Sequence, residues 1–128
     1  MIGILLITHG SLGESLIQCA CHVLDKRPAQ TAQLGVSPQD DPLDLRRVAE
    51  GLVASVDRGE GVLVLTDIVG ATPANVATGL IRPGRVEVIA GVNVPMLLRA
   101  LTYRNKDMLT LIARSLAGGC DGVVHVRH

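Results

Sequence analysis

Apolar residues along the chain keep two rhythms. Met1 to Thr8 is an almost unbroken apolar run, and shorter runs follow at Thr31 to Val36, Gly61 to Thr66 and Arg85 to Ala90. Runs of this length, rich in Val, Ile and Leu, predict strands buried on both faces. Between them the apolar positions recur at helical spacing. Leu12, Leu16, Ile17, Ala20, Val23 and Leu24 form one stripe; Leu45, Val48, Ala49, Leu52, Val53 and Val56 form another, bounded by Pro42 and Gly59. Thr72-Pro73 opens a short helix, with Thr72 as N-cap and Pro73 at the first helical position, where its missing N–H costs nothing. Asn93-Val94-Pro95 opens a helix through about Tyr103, Asp107 to Leu116 gives one more before Gly118-Gly119, and Val123 to Val126 reads as a last, short edge strand.

Strands that alternate with helices predict an α/β fold, a doubly wound three-layer sandwich. The chain shows no repeat or linker and fits one domain, residues 1–128. Right-handed crossovers and a mainly parallel sheet of order 2-1-3-4 put the reversal of strand order, where such folds bind ligands, between the first and third strands. Those two strands end in chemistry: the first delivers His9, followed by Gly10-Ser11, and the third delivers Asp67. Helix N-termini after Gly10, at Thr72-Pro73 and at Asn93-Pro95 open on the same edge and offer N–H donors to an anion.

Composition narrows the field. Twelve Lys and Arg balance twelve Asp and Glu, so no net field favours nucleic acid or an anionic membrane. Tyr103 is the sole aromatic residue, which removes stacking platforms for bases or sugar rings. The first strand lacks a basic flank and a cleavage site, and no apolar stretch approaches the roughly 20 residues that span a bilayer. The expectation is a cytoplasmic protein without direct membrane insertion. Cys19, Cys21 and Cys120 are odd in number and unsuited to a framework, so reduced thiols are expected. His22, His125 and His128 read as surface residues, with no metal site.

A histidine paired with a carboxylate, without metal or nucleophilic serine, has its own chemistry. Imidazole has an unperturbed pKa of about 6.5, so one ring nitrogen can attack near neutral pH while the other keeps its proton. A carboxylate fixes that tautomer and stabilises the positive character that grows on the ring. Phosphoryl transfer otherwise needs mainly positioning and neutralisation of oxygens. His9 as phosphoryl acceptor and Asp67 as its orienter is the reading these residues give.

Three segments also match a family. Ile7-Thr8-His9-Gly10-Ser11-Leu12, Leu65-Thr66-Asp67-Ile68-Val69-Gly70-Ala71-Thr72-Pro73-Ala74-Asn75 and Gly91-Val92-Asn93-Val94-Pro95-Met96-Leu97 resemble, in order and spacing, the IIA phosphocarrier domain of the mannose-type sugar phosphotransferase system. The resemblance implies a phosphotransferase with a phosphohistidine intermediate and no cofactor. His9 would accept a phosphoryl group from phospho-HPr and pass it to a IIB component, with Asp67 as the second active-site residue. It implies phosphate contacts from Gly10, Ser11 and Thr72, with Thr8, Thr66, Gly70 and Asn93 in support; Asn93 reads equally as a helix cap. It also implies a homodimer in which the last strand, Gly122 to Val126, crosses to the partner. No IIB domain follows within the 128 residues, so a separate IIB, or none at all, is expected. The family usually has Ser at Thr72, and two glycines and aromatics where this chain has Val69-Gly70-Ala71 and Ala74, a departure that bears on partner preference.

The downstream role stays open at this point, and rivals from other classes fit less well. A regulatory phosphocarrier, with a regulatory target in place of IIB, would share the chemistry of His9, as would the related dihydroxyacetone kinase phosphoryl donor. A receiver-like domain would place its phosphoacceptor at Asp67 but would need an acidic pair where the chain has Thr8-His9. A hydrolase would need a G-x-S-x-G elbow, which is absent.

Overall fold

The structure, a computed structural model, describes residues 1–127. Its elements are β1 (Gly3–His9), α1 (Leu12–Leu24), β2 (Thr31–Val36), α2 (Pro42–Val56), β3 (Val62–Thr66), α3 (Thr72–Thr78), β4 (Val86–Ala90), α4 (Val94–Tyr103) and α5 (Met108–Asp121). The sheet is parallel throughout, with the order β2-β1-β3-β4. His9 lies opposite Val36 of β2, and Ile7 opposite Thr66 of β3.

Helices cover both faces because successive strand residues point to opposite sides. Ile4 and Leu6 of β1 meet α1, α4 and α5 through Leu16, Ile17, Met96, Leu97 and Leu111. Leu5 and Ile7 meet α2 and α3 through Leu45, Ala49, Val76 and Ala77. These four β1 side chains are fully buried, each contributing about 1.5–3 kcal/mol of transfer free energy, as are Val62 to Leu65 of β3, so the strands that lead to His9 and to Asp67 are both firmly anchored.

Four sequence expectations are corrected. Thr72 is the first residue of α3 rather than its cap, Ala71 precedes it in extended backbone, and Pro73 stands second, still within the turn whose N–H groups have no helical acceptor. Gly61 lies outside β3 with φ +92, where an added Cβ would run into the Arg85 carbonyl. Helix α5 runs through Gly118-Gly119 to Asp121. Those glycines do not end it; they let it approach α4, since a Cβ on Gly118 would meet the Arg99 side chain and one on Gly119 would meet Met96. Finally, Val123 to Val126 is not a strand within this chain: an edge strand needs a ladder partner, and these exposed residues have none among the described residues. His128 lies outside the described residues.

The sheet edge opposite His9 is closed by a residue the sequence does not advertise. Arg104, just after α4, is buried and donates to the carbonyls of Ile2, Ala29 and Gln30 and to the Thr31 hydroxyl. Burial lowers its pKa to about 10, so it stays charged at neutral pH. Arg104→Ala strands those carbonyls, and a urea melt should show a loss of about 3 kcal/mol.

Candidate active site

β1 and β3 are hydrogen-bonded neighbours, so their carboxyl ends bring His9 and Asp67 together. The Asp67 Oδ2 lies 2.7 Å from His9 Nδ1 and also accepts the His9 backbone N–H at 3.0 Å. Its Oδ1 accepts the Ile68 N–H at 3.1 Å. A carboxylate only accepts, so the imidazole proton belongs on Nδ1 and the lone pair on Nε2. The His9 side chain is 54% exposed and that of Asp67 12%, so the imidazole is open to solvent while the carboxylate beside it is shielded.

Burial works against the charged carboxylate, but the backbone and imidazole contacts from His9 outweigh it and hold the Asp67 carboxyl below the usual carboxylate range. A carboxyl with a lowered native pKa contributes stability that is complete above its unfolded value, about pH 4, and is lost as pH falls through the native value. Urea unfolding from pH 7 to pH 3 should therefore show the gap between the native chain and Asp67→Asn shrinking below about pH 4.

The other expected site residues have distinct places. Gly10 follows His9 at φ +54, in the left-handed region, and its N–H donates to the Val36 carbonyl at 2.9 Å. Ser11 precedes α1, exposed, and its hydroxyl caps no helix N–H. Thr8 is buried, and its hydroxyl accepts the Gly13 N–H at 2.8 Å. Thr66 is buried too; its carbonyl accepts the N–H groups of Gly91 and Val92, while its hydroxyl has no partner among the described residues. Gly70 lies exposed at φ +88 in the turn before α3. Asn93 caps α4, its Oδ1 accepting the Met96 N–H while its Nδ2 donates to the Gly119 carbonyl. Among the described residues neither Thr72, Gly70 nor Asn93 is hydrogen-bonded to His9 or Asp67.

Sequence reasoning missed the part played by β2, whose last carbonyl holds the Gly10 turn; only the strand register reveals it. It also left Asn75 unassigned, although its spacing from Thr72 predicts a shared helix face. Both residues, with Arg46, line a cavity of about 320 Å³ between the first turns of α2 and α3. The described residues hold no cluster of three His, Cys, Asp or Glu arranged for a metal. Cys19, Cys21 and Cys120 are free thiols. No helix among the described residues is long and apolar enough to cross a membrane.

Known proteins converge on one family. The EIIA-man family model, described as the PTS system fructose IIA component, matches residues 3–115. The mannose-specific EIIAB component of Escherichia coli strain K12 is 32% identical over 125 residues, 95% of this chain. The chain spans 38% of that relative's length. Among solved structures, the mannose/sorbose specific IIA subunit from Enterococcus faecalis superposes with a TM-score of 0.88 at 22% identity, covering 99% of this chain and 96% of that one. The component EIIA from Streptococcus agalactiae gives 0.86 at 22% identity, covering 98% and 97%. At that identity the structures establish the fold alone.

Proposed function

The chain belongs to the EIIA-man family of phosphotransferase-system IIA components, and from that membership we propose that it is a phosphocarrier acting through phosphohistidine at His9. The observation that carries the reading is the short Asp67 contact to Nδ1, which commits the ring proton there and leaves Nε2 exposed. In the forward step the Nε2 lone pair attacks the phosphorus of phospho-HPr. The new N–P bond forms as the donor's phosphohistidine bond breaks and its electron pair returns to the donor ring. Nδ1 keeps its proton, and the Asp67 carboxylate offsets the positive character of the ring. The reverse exchange hands the phosphoryl group to a IIB component, and no cofactor enters.

The Ser11 and Thr72 hydroxyls are proposed to contact the phosphoryl oxygens. Gly10 serves through its left-handed turn, since its N–H is committed to Val36. Thr8, Thr66, Gly70 and Asn93 support that arrangement. An exposed acceptor on a strand-end rim suits a protein donor better than a small substrate, which would be enclosed. Three cavities, of about 410, 320 and 450 Å³, have neither His9 nor Asp67 in their linings. The chain is proposed to act in the cytoplasm as one domain and as a homodimer. The exposed apolar segment Val123, Val124 and Val126 is what such a dimer would cover, in keeping with an exchanged strand from Gly122 to Val126.

Intact-mass analysis tests the reading after incubation with phosphoenolpyruvate, Enzyme I and HPr at neutral to alkaline pH. One phosphate, lost on acidification and absent when HPr is omitted, is the expected result. A chain that stays unmodified while HPr itself is charged refutes it.

A further inference from the structure

Two threonines occupy matching places in the fold. Thr8 precedes His9 at the end of β1, Thr66 precedes Asp67 at the end of β3, and both are fully buried. Their hydroxyls differ. That of Thr66 has no partner among the described residues, whereas that of Thr8 accepts the Gly13 N–H at 2.8 Å, five residues further along. The bond spans the residue before His9 and the first turn of α1, so it closes a loop with the imidazole inside it. A Cβ on Gly13 would stand 3.0 Å from the Thr8 oxygen, a tight contact that the glycine avoids where the helix starts beside the strand.

Two further bonds grip the same loop from other sides. The His9 N–H goes to Asp67 Oδ2 and the Gly10 N–H to the Val36 carbonyl. Each of these holds the backbone at or immediately after His9 to a neighbouring strand end. Only the Thr8 bond fixes the far end of the loop, where the chain must leave the left-handed Gly10 and enter α1. Resting on the reading of His9 as phosphoryl acceptor, we infer that Thr8 is a positioning residue for it: its buried hydroxyl closes the loop that carries the imidazole and sets where Nε2 points.

Thr8→Val keeps the shape of the side chain and removes the acceptor, leaving the Gly13 N–H unpaired, while Thr8→Ser keeps the acceptor. Phosphoryl transfer from phospho-HPr should fall about 10-fold or more in Thr8→Val, since a displacement of order 1 Å at the reacting atom costs up to about 100-fold. Thr8→Ser should recover most of the native rate. Ser115→Ala, which removes another fully buried hydroxyl without a partner, should transfer at the native rate. Nitrogen-resolved NMR of the His9 ring supplies a readout that loss of general stability does not move: Thr8→Val should shift the ring signals, and Thr8→Ser should restore them. Native transfer and native ring signals in Thr8→Val overturn the inference. So does a Thr8→Ser variant as slow as Thr8→Val, which would assign the effect to the methyl group. Should Thr8→Val fail to fold, Thr8→Cys, of similar size and a weak acceptor, takes its place in the same comparison. A native chain that takes no phosphate ends the phosphocarrier reading, and the ring signals still decide the role of Thr8.

Discussion

His9→Ala should take up no phosphate from a charged donor while keeping its fold. The substitution removes the only imidazole beside Asp67 among the described residues, and the other described histidines are badly placed to replace it: His22 lies exposed on α1 and His125 on the segment after α5. The cost to stability should be small. The His9 side chain is 54% exposed, and the core beneath it, Ile4 to Ile7, does not depend on it. The His9 N–H that Asp67 also accepts belongs to the backbone and survives the change. Intact mass reports the lost phosphate and a urea melt the retained fold. A His9→Ala chain that still carries one acid-labile phosphate would move the acceptor elsewhere.

Asp67→Asn should fold and dock yet transfer slowly. The native carboxylate accepts the ring N–H and the backbone N–H of His9 through one oxygen and the Ile68 N–H through the other, so every contact it makes is as an acceptor. An amide has one accepting oxygen for those donors. If its NH₂ faces the ring, the proton moves to Nε2 and the attacking lone pair is lost. If its oxygen faces the ring, the tautomer survives, but the charge that offsets the developing imidazolium is gone. The transfer rate should fall by between about 100-fold and 10,000-fold, the larger figure being the cost of losing tautomer control in a Ser-His-Asp triad. The half-saturating donor concentration should barely change, because a side chain 12% exposed offers a docking protein little to touch. Single-turnover transfer across a range of phospho-HPr concentrations separates the two quantities. A native rate in Asp67→Asn would remove the carboxylate from the mechanism.

The juxtaposition of His9 and Asp67 was legible in the sequence for a physical reason. Parallel strands buried on both faces are long apolar runs, so a polar residue closing such a run stands at the sheet edge, and His9 and Asp67 each close one. The strand order followed from right-handed crossovers and is the order observed. Other features depend on contacts between segments far apart in sequence and stayed hidden. Gly118-Gly119 reads as a helix stop, but the close approach of α4 makes it a packing surface inside α5. Arg104 reads as a basic residue near a helix end, and only the fold reveals that it gathers carbonyls from the segments leading into β1 and β2. Thr8 and Thr66 look equivalent in sequence, and their hydroxyls are told apart only by where α1 begins.

The central claim is that His9 accepts phosphate through Nε2 while Nδ1 stays protonated against Asp67. Nitrogen-15 and phosphorus-31 NMR of the phosphorylated chain tests it most directly, because the two phosphohistidine isomers couple phosphorus to different ring nitrogens. Phosphorus coupled to Nε2 of His9, with the Nδ1 proton still present, is the predicted result. Phosphorus on Nδ1, or on any residue other than His9, would contradict it.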